Sequence, residues 1–365
     1  MVRSEKKHRI IFIDLIRAFA VIQMVQGHTV DVLLAPQYRL DEYPVYFLWN
    51  FMRGMTAPIF MFSAGTVFTY LFRLVNEPFE KNPRVKKGFF RFLLLVGIGY
   101  ILRYPTFTIF DFSEVTQQQL NIFFSVDVLQ LIGFGLLFLL ISAYISEKIK
   151  LGDTFTFTAI ALIFFIATPF IIKINWIDYL PKPIAGYLYT GTNSLFPLFP
   201  WAGYVVLGGV LGSYLAKNPL VFKTNKFSFN LALFGSALIL VSEVSILITE
   251  KVFNYYYDPS SYNPDTIVFR VGFVLLLNSV VSFISQKIES IPKIFILVGR
   301  NTLLIYVIHL MILYGSAWNP GLSLLFGGKL GVFSTVVFAL VMITLMVLMV
   351  YLLSKFKFRN KQLVT

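Results

Sequence analysis

"LLFLLISAYI", residues 136–145, is continuously apolar, with none of the apolar–polar alternation of a half-exposed strand. That reading decides the fold. Backbone at membrane depth must satisfy its own hydrogen bonds, which leaves α-helices and closed β-barrels, and a barrel strand reads as about ten residues of alternating polarity. Similar apolar runs recur along the 365 residues, of which 57% are hydrophobic, 13% are charged and 40 are Phe, with a mean hydropathy of +0.75. Ordinary soluble cores are not built this way. The expectation is an all-α, polytopic transmembrane helix bundle, one integral-membrane domain over 1–365, with no soluble domain, internal repeat or low-complexity segment.

A helix crossing a roughly 30 Å hydrocarbon layer needs about 20 mostly apolar residues. On that rule ten spans are expected, at 10–35, 46–74, 89–109, 121–145, 155–173, 197–216, 228–249, 266–286, 294–317 and 331–354. The connecting segments alternate in charge. "RSEKKHR" (3–9), "EPFEKNPRVKK" (77–87), "SEKIK" (146–150), "KNPLVFKTNK" (217–226), "SQKIESIPK" (285–293) and "KFKFRNK" (355–361) are rich in Lys and Arg, whereas the other set is poor in both. The positive-inside rule makes the rich set, and both termini, cytoplasmic. The net charge of +13 is then mostly a topology signal. It argues for attraction to anionic membrane lipid and against nucleic-acid binding. Asp14 and Arg17 interrupt the first apolar run, so it reads as a retained span rather than a cleaved secretory signal.

The chain has no Cys, which excludes disulfides, thiolate metal sites and a cysteine acyl-enzyme; no metal is expected. Ionisable residues inside spans are costly in lipid and mark cavities or partners. At 1.5 Å per residue, His28, His309, Arg103 and Glu243 fall at about 21–27 Å from the cytoplasmic side, and Arg53, Asp127 and Arg270 at about 6–10 Å from the outer side. These seven form one expected polar layer in the outer half. A second group, Asp14, Arg17 and Arg300, lies about 6–10 Å from the cytoplasmic face and could receive an anionic cytosolic ligand. Asp31 follows His28 on one helical face, where a carboxylate could orient the imidazole as a base. Arg73 and Arg91, at span ends, read as cations that snorkel to the interface. The Tyr, Pro and Asn residues of the outer segments read as interfacial anchors.

"RIIFIDLIRAFAVIQMVQGH" (9–28) resembles the opening helix of the transmembrane acyltransferase superfamily, in which an Asp-x-x-Arg pair precedes a His eleven residues past the Arg, as Asp14, Arg17 and His28 do here. Bacterial membrane O-acyltransferases share this helix; Ala18 stands where a glycine is common. "MRGMTAPIFMFSAGTVF" (52–68) resembles the second helix of the heparan-alpha-glucosaminide N-acetyltransferase-like branch, with Pro58, Phe60, Phe62 and Gly65 in place. "SVDVLQLIGFGLL" (125–137), "SLFPLFPWAGYVVLGGVLG" (194–212) and "VGRNTLLIYVIHL" (298–310) look like the same branch.

The resemblance implies an enzyme that moves an acyl group, acetyl in the simplest case, from cytosolic acyl-CoA to a hydroxyl or amine of a sugar or lipid-linked acceptor across the membrane. The acyl-CoA is a co-substrate rather than a tightly bound cofactor, and a bacterial inner membrane is the expected location. Within this frame His28 and Asp31 are the catalytic candidates. Arg17 and Arg300 are candidates for the CoA phosphates, and Arg53, Asp127, Arg270 and His309 for the acceptor or the oxyanion. Direct transfer and an acyl-histidine intermediate both fit. Two rival readings use the same buried charges: a proton-coupled transporter and a non-catalytic membrane scaffold.

Overall fold

The protein is described by a computed structural model over residues 10–218, 220–254, 258–288 and 290–362. The basic leader at 3–9 lies outside these residues. Fourteen α-helices and one two-stranded hairpin make up its regular structure among the described residues, apart from short 3₁₀ turns, so the chain is the all-α bundle expected. Among the described residues eight helical segments are long and apolar enough to cross a membrane, or nine if one bent pair counts as a span. Ten were expected. The shortfall lies in the third span: α3 (Pro83–Leu102) is helical, but Arg84, Lys86, Lys87 and Arg91 fill its first half.

The fourth expected span, 121–145, contains a break. Helix α4 (Gln117–Phe124), capped by Thr116, stops at Ser125, and α5 (Val128–Ile149) starts anew from Asp127. The ninth is also broken: α11 (Lys293–Arg300) and α12 (Thr302–Tyr314) meet at a bend of 75°. The other spans match α1 (Ile11–Leu33), α2 (Pro44–Arg73), α6 (Asp153–Ile171), α8 (Leu198–Lys217), α9 (Asn225–Phe253), α10 (Pro264–Lys287) and α14 (Val332–Gln362). Two short helices complete the list, α7 (Lys182–Ala185) and α13 (Leu322–Phe326).

Contacts divide the chain into two compact units. The first takes residues 61–101 and 113–288, together with the start of α1. Here α8 packs on both α5 and α6, and α9 on α10. Close approach of α8 to the second half of α2 requires glycine at three places. A Cβ on Gly65 would lie 1.9 Å from the Val205 carbonyl oxygen, one on Gly208 2.0 Å from that of Phe62, and one on Gly212 2.3 Å from that of Thr66. Thr66 Oγ1 donates to the Gly208 carbonyl at 3.0 Å across this contact. Gly208 and Gly212 are the small-xxx-small spacing by which membrane helices meet backbone to backbone.

At the other end of α2, Arg73 donates through Nε to Asp153 Oδ2 (2.8 Å) and through Nη2 to Oδ1 (2.6 Å), and its Nη1 meets Glu147 at 2.5 Å. Ser146 and Ser213 hydroxyls donate to the same Asp153 carboxylate at 2.9 and 2.5 Å. Arg73 was expected to snorkel; its side chain is instead only 15% exposed and fully engaged.

The second unit takes residues 13–60, 102–112 and 290–362. Its core joins Val21 and Val25 of α1, Ile305 and Leu313 of α12, and Met342 and Met346 of α14. The end of α1 is fixed by backbone rather than by a cap. Gly328 donates to the Val32 carbonyl and Leu330 to that of Leu33, both at 2.9 Å, which satisfies carbonyls the helix itself leaves open. Arg39 adds a cation there, with Nε donating to the Leu34 carbonyl at 3.0 Å and Nη2 to that of Asp31 at 2.8 Å.

Candidate active site

The second unit gathers most of the expected site residues. On α1, Arg17 and His28 are eleven residues apart, three turns and about 20° of rotation, so they share a stripe roughly 16 Å long. The His28 and His309 rings face each other with centroids 5.5 Å apart. His309 is fully buried, and its Nδ1 lies 2.7 Å from the Ile305 carbonyl, an acceptor only; the ring proton therefore sits on Nδ1. Nε2 of His309 then carries a lone pair and has no hydrogen-bond partner among the described residues. Tyr314 completes the group: its hydroxyl lies 3.4 Å from His28 Nδ1, and its ring meets the imidazole edge-on.

The expected contact between Asp31 and His28 is not made. Asp31 Oδ2 instead accepts from Arg53 Nε (2.7 Å) and Nη2 (2.6 Å). The cause is local: α2 brings Arg53 across α1 at Gly27, where any Cβ would lie 2.8 Å from Arg53 Cδ, and the guanidinium reaches the carboxylate one turn on. With its carbonyl held by Arg39 and its carboxylate by Arg53, Asp31 fixes the turn of α1 that carries His28. Arg53 retains donors on Nη1 for a further group. Both side chains of the pair are about one-third exposed, at 28% and 33%. Its worth is thus on the order of 1 kcal/mol. A double-mutant cycle of Asp31→Asn and Arg53→Gln, followed by thermal denaturation, should return a coupling of that size; strictly additive losses would show the pair to be uncoupled.

Toward the start of α1, Arg17 Nη2 donates to Thr302 Oγ1 at 3.2 Å. The end of α11 lies against the same turn, since a Cβ on Gly299 would meet the Asp14 carbonyl at 3.1 Å and Arg17 Cβ at 3.5 Å. Arg300 is exposed at this bend, one residue before the Asn301 that precedes α12. The Arg17 guanidinium thus lies at the N-terminus of a thirteen-residue helix, an arrangement suited to an anion, with Arg300 two residues before it in the chain.

Asp127 and Arg270 belong to the first unit. Asp127 caps α5: its Oδ1 accepts from the Val128 N–H at 2.7 Å, and Gln130 Oε1 accepts from the Asp127 N–H at 3.3 Å. This accounts for a carboxylate at that position without chemistry. Arg270 is 8% exposed beside Trp201. Glu243, expected in the polar layer, is exposed on α9.

Sequence reasoning missed Tyr314, Gln26 and Trp49. Trp49 Nε1 donates to Gln26 Oε1 at 2.7 Å, beside Gly27 and His28. Gln26 adjoins His28 in the chain, but Tyr314 sits where a helix breaks into the hairpin of β1 (Gly315–Ser316) and β2 (Asn319–Pro320), a place with no periodic signal.

A bundle of long apolar helices, with His28 of the opening helix against His309, defines a polytopic membrane protein with a buried histidine pair. The catalytic-domain family of heparan-alpha-glucosaminide N-acetyltransferase matches residues 9–249, well over half the chain, and the chain belongs to that family. The match includes Arg17, His28, Asp31, Arg53 and Asp127, whereas Arg270, Arg300 and His309 lie beyond it. No curated protein matches the chain.

Proposed function

We propose that the protein transfers an acetyl group from acetyl-CoA, bound from the cytoplasm, to a hydroxyl or amine of a sugar or lipid-linked acceptor on the far side of a bacterial inner membrane, with both termini inside. The observation that carries the reading is the stripe on α1 that joins Arg17, at the start of α12, to a histidine pair at His28 and His309. Arg17, Arg300 and the start of α12 hold the CoA phosphates, and the extended arm of the donor follows the stripe to the imidazoles. His28 takes the proton of the acceptor as its oxygen or nitrogen attacks the thioester carbonyl. The new C–O or C–N bond forms, the C–S bond breaks, and the proton passes from His28 to the leaving CoA thiolate. Arg53, held by Asp31, faces the developing oxyanion, and His309, through its Nε2 lone pair, accepts a hydrogen bond from the acceptor.

The direct test is release of free CoA thiol from acetyl-CoA by purified protein given a panel of glycans, with mass spectrometry of the acylated product. No thiol release above background with any acceptor would remove the proposal, and transport of the same glycans without it would favour a carrier. Arg17→Ala and Arg300→Ala should each weaken acetyl-CoA about ten-fold or more while changing a short acetyl thioester lacking the nucleotide less than two-fold. Equal losses for both donors would mean that the arginines only support the bend.

A further inference from the structure

Apart from the histidine pair of the second unit, the first unit holds a buried cation that no carboxylate neutralises among the described residues. Arg270 lies in the second turn of α10, and its guanidinium carbon sits 5.5 Å from the Trp201 ring centroid. Trp201 and Tyr204 stand one turn apart near the start of α8, with ring centroids 5.9 Å apart. All three side chains are more than nine-tenths buried. Nε and Nη1 of Arg270, Nε1 of Trp201 and the hydroxyl of Tyr204 have no hydrogen-bond partner among the described residues. The Tyr204 hydroxyl lies beside Arg270, and that of Tyr262 beside Trp201. Among the described residues no carboxylate lies within ion-pair distance of Arg270.

The desolvation of an isolated cation in such a site outweighs what one aromatic face returns. Natural interiors do not leave several donors unmet in one place unless a ligand or water meets them. The donors here are a charged guanidinium, an indole N–H and a phenol, with no facing carboxylate among the described residues. Four donor atoms spread over three side chains match an anion with several oxygens, which can meet each donor along its own direction. Helices α8 and α10 begin after segments 174–197 and 254–263, which are the ones poor in Lys and Arg that the proposed topology places outside.

We propose that Arg270, Trp201 and Tyr204 form a binding site, within the first unit, for an oxoanion, a carboxylate or phosphoryl group.

The test uses the purified full chain in lipid nanodiscs without acetyl-CoA. Glucuronate, glucose 1-phosphate, inorganic phosphate, chloride and glucose are titrated while thermal unfolding is followed. Glucuronate or a phosphate compound should raise the unfolding temperature saturably, with glucose and chloride inert. Preference for glucuronate identifies a carboxylate, and preference for the phosphates a phosphoryl group. Arg270→Gln should unfold at a higher temperature than the natural chain without anions, because an uncompensated charge is removed, and should lose the anion response. Trp201→Phe, which keeps a ring and deletes the N–H, should weaken anion binding about five-fold and covers the case of a misfolded Arg270 variant. No oxoanion response in the natural chain, an equal response to chloride, or an unchanged response in both variants would overturn the site.

Discussion

His28→Ala should lower acetyl transfer by about 10²- to 10⁴-fold, the range general-base groups contribute, while the protein stays folded and binds acetyl-CoA with nearly unchanged affinity. The separation follows from α1: the Arg17 end of the stripe lies roughly 16 Å from His28, so loss of the imidazole leaves the phosphate end intact. The measurement is thiol release under saturating donor beside a direct acetyl-CoA titration. Full turnover by a folded His28→Ala protein would remove His28 as the base. A dead His309→Ala protein alongside it would move the role to the second imidazole, whose buried Nε2 already carries a free lone pair.

The largest effect on stability is expected at Gly208. An added Cβ there meets backbone, the Phe62 carbonyl at 2.0 Å, so no side-chain rotation relieves it and α2 and α8 must separate. Gly208→Ala should cost about 3 kcal/mol, the upper part of the range for overpacking, and Gly208→Leu more. Gly97→Ala in α3 is the matched control, since nothing lies within 4 Å of the added carbon. That exchange should be neutral or stabilising by up to about 1 kcal/mol through helix propensity. Unfolding of the purified variants in one detergent measures both; equal effects at the two glycines would contradict the packing described.

The bundle was legible because hydropathy acts over whole spans, and seven of the ten expected spans survive as single helices. Breaks were not, because each depends on a few residues. Asp127 looked like an intramembrane charge, yet with Gln130 it forms a capping box that starts α5. Arg300 and Asn301 gave no sign of the 75° bend. At the site, helical spacing correctly put Asp31 on the His28 side of α1, but the partner of that carboxylate came from α2. A spacing rule along one helix has no access to that competition. His309 was legible as a buried histidine, whereas its pairing with His28 is a tertiary fact joining residues 281 positions apart, as 309 − 28 shows.

The Arg73–Asp153 pair has a consequence in time. The two residues are 80 positions apart in the chain. At about 5–20 residues per second, Asp153 leaves the ribosome roughly 4–16 s after Arg73. Until Glu147 and then Asp153 emerge, the arginine has neither of the carboxylates that later hold it, and its long side chain can hold the end of α2 at the bilayer surface. Only the arrival of α6 makes burial of the guanidinium favourable. A chain stalled before Asp153 therefore differs from a finished one by an exposed positive charge at a fixed place, a mark of incompleteness written in electrostatics.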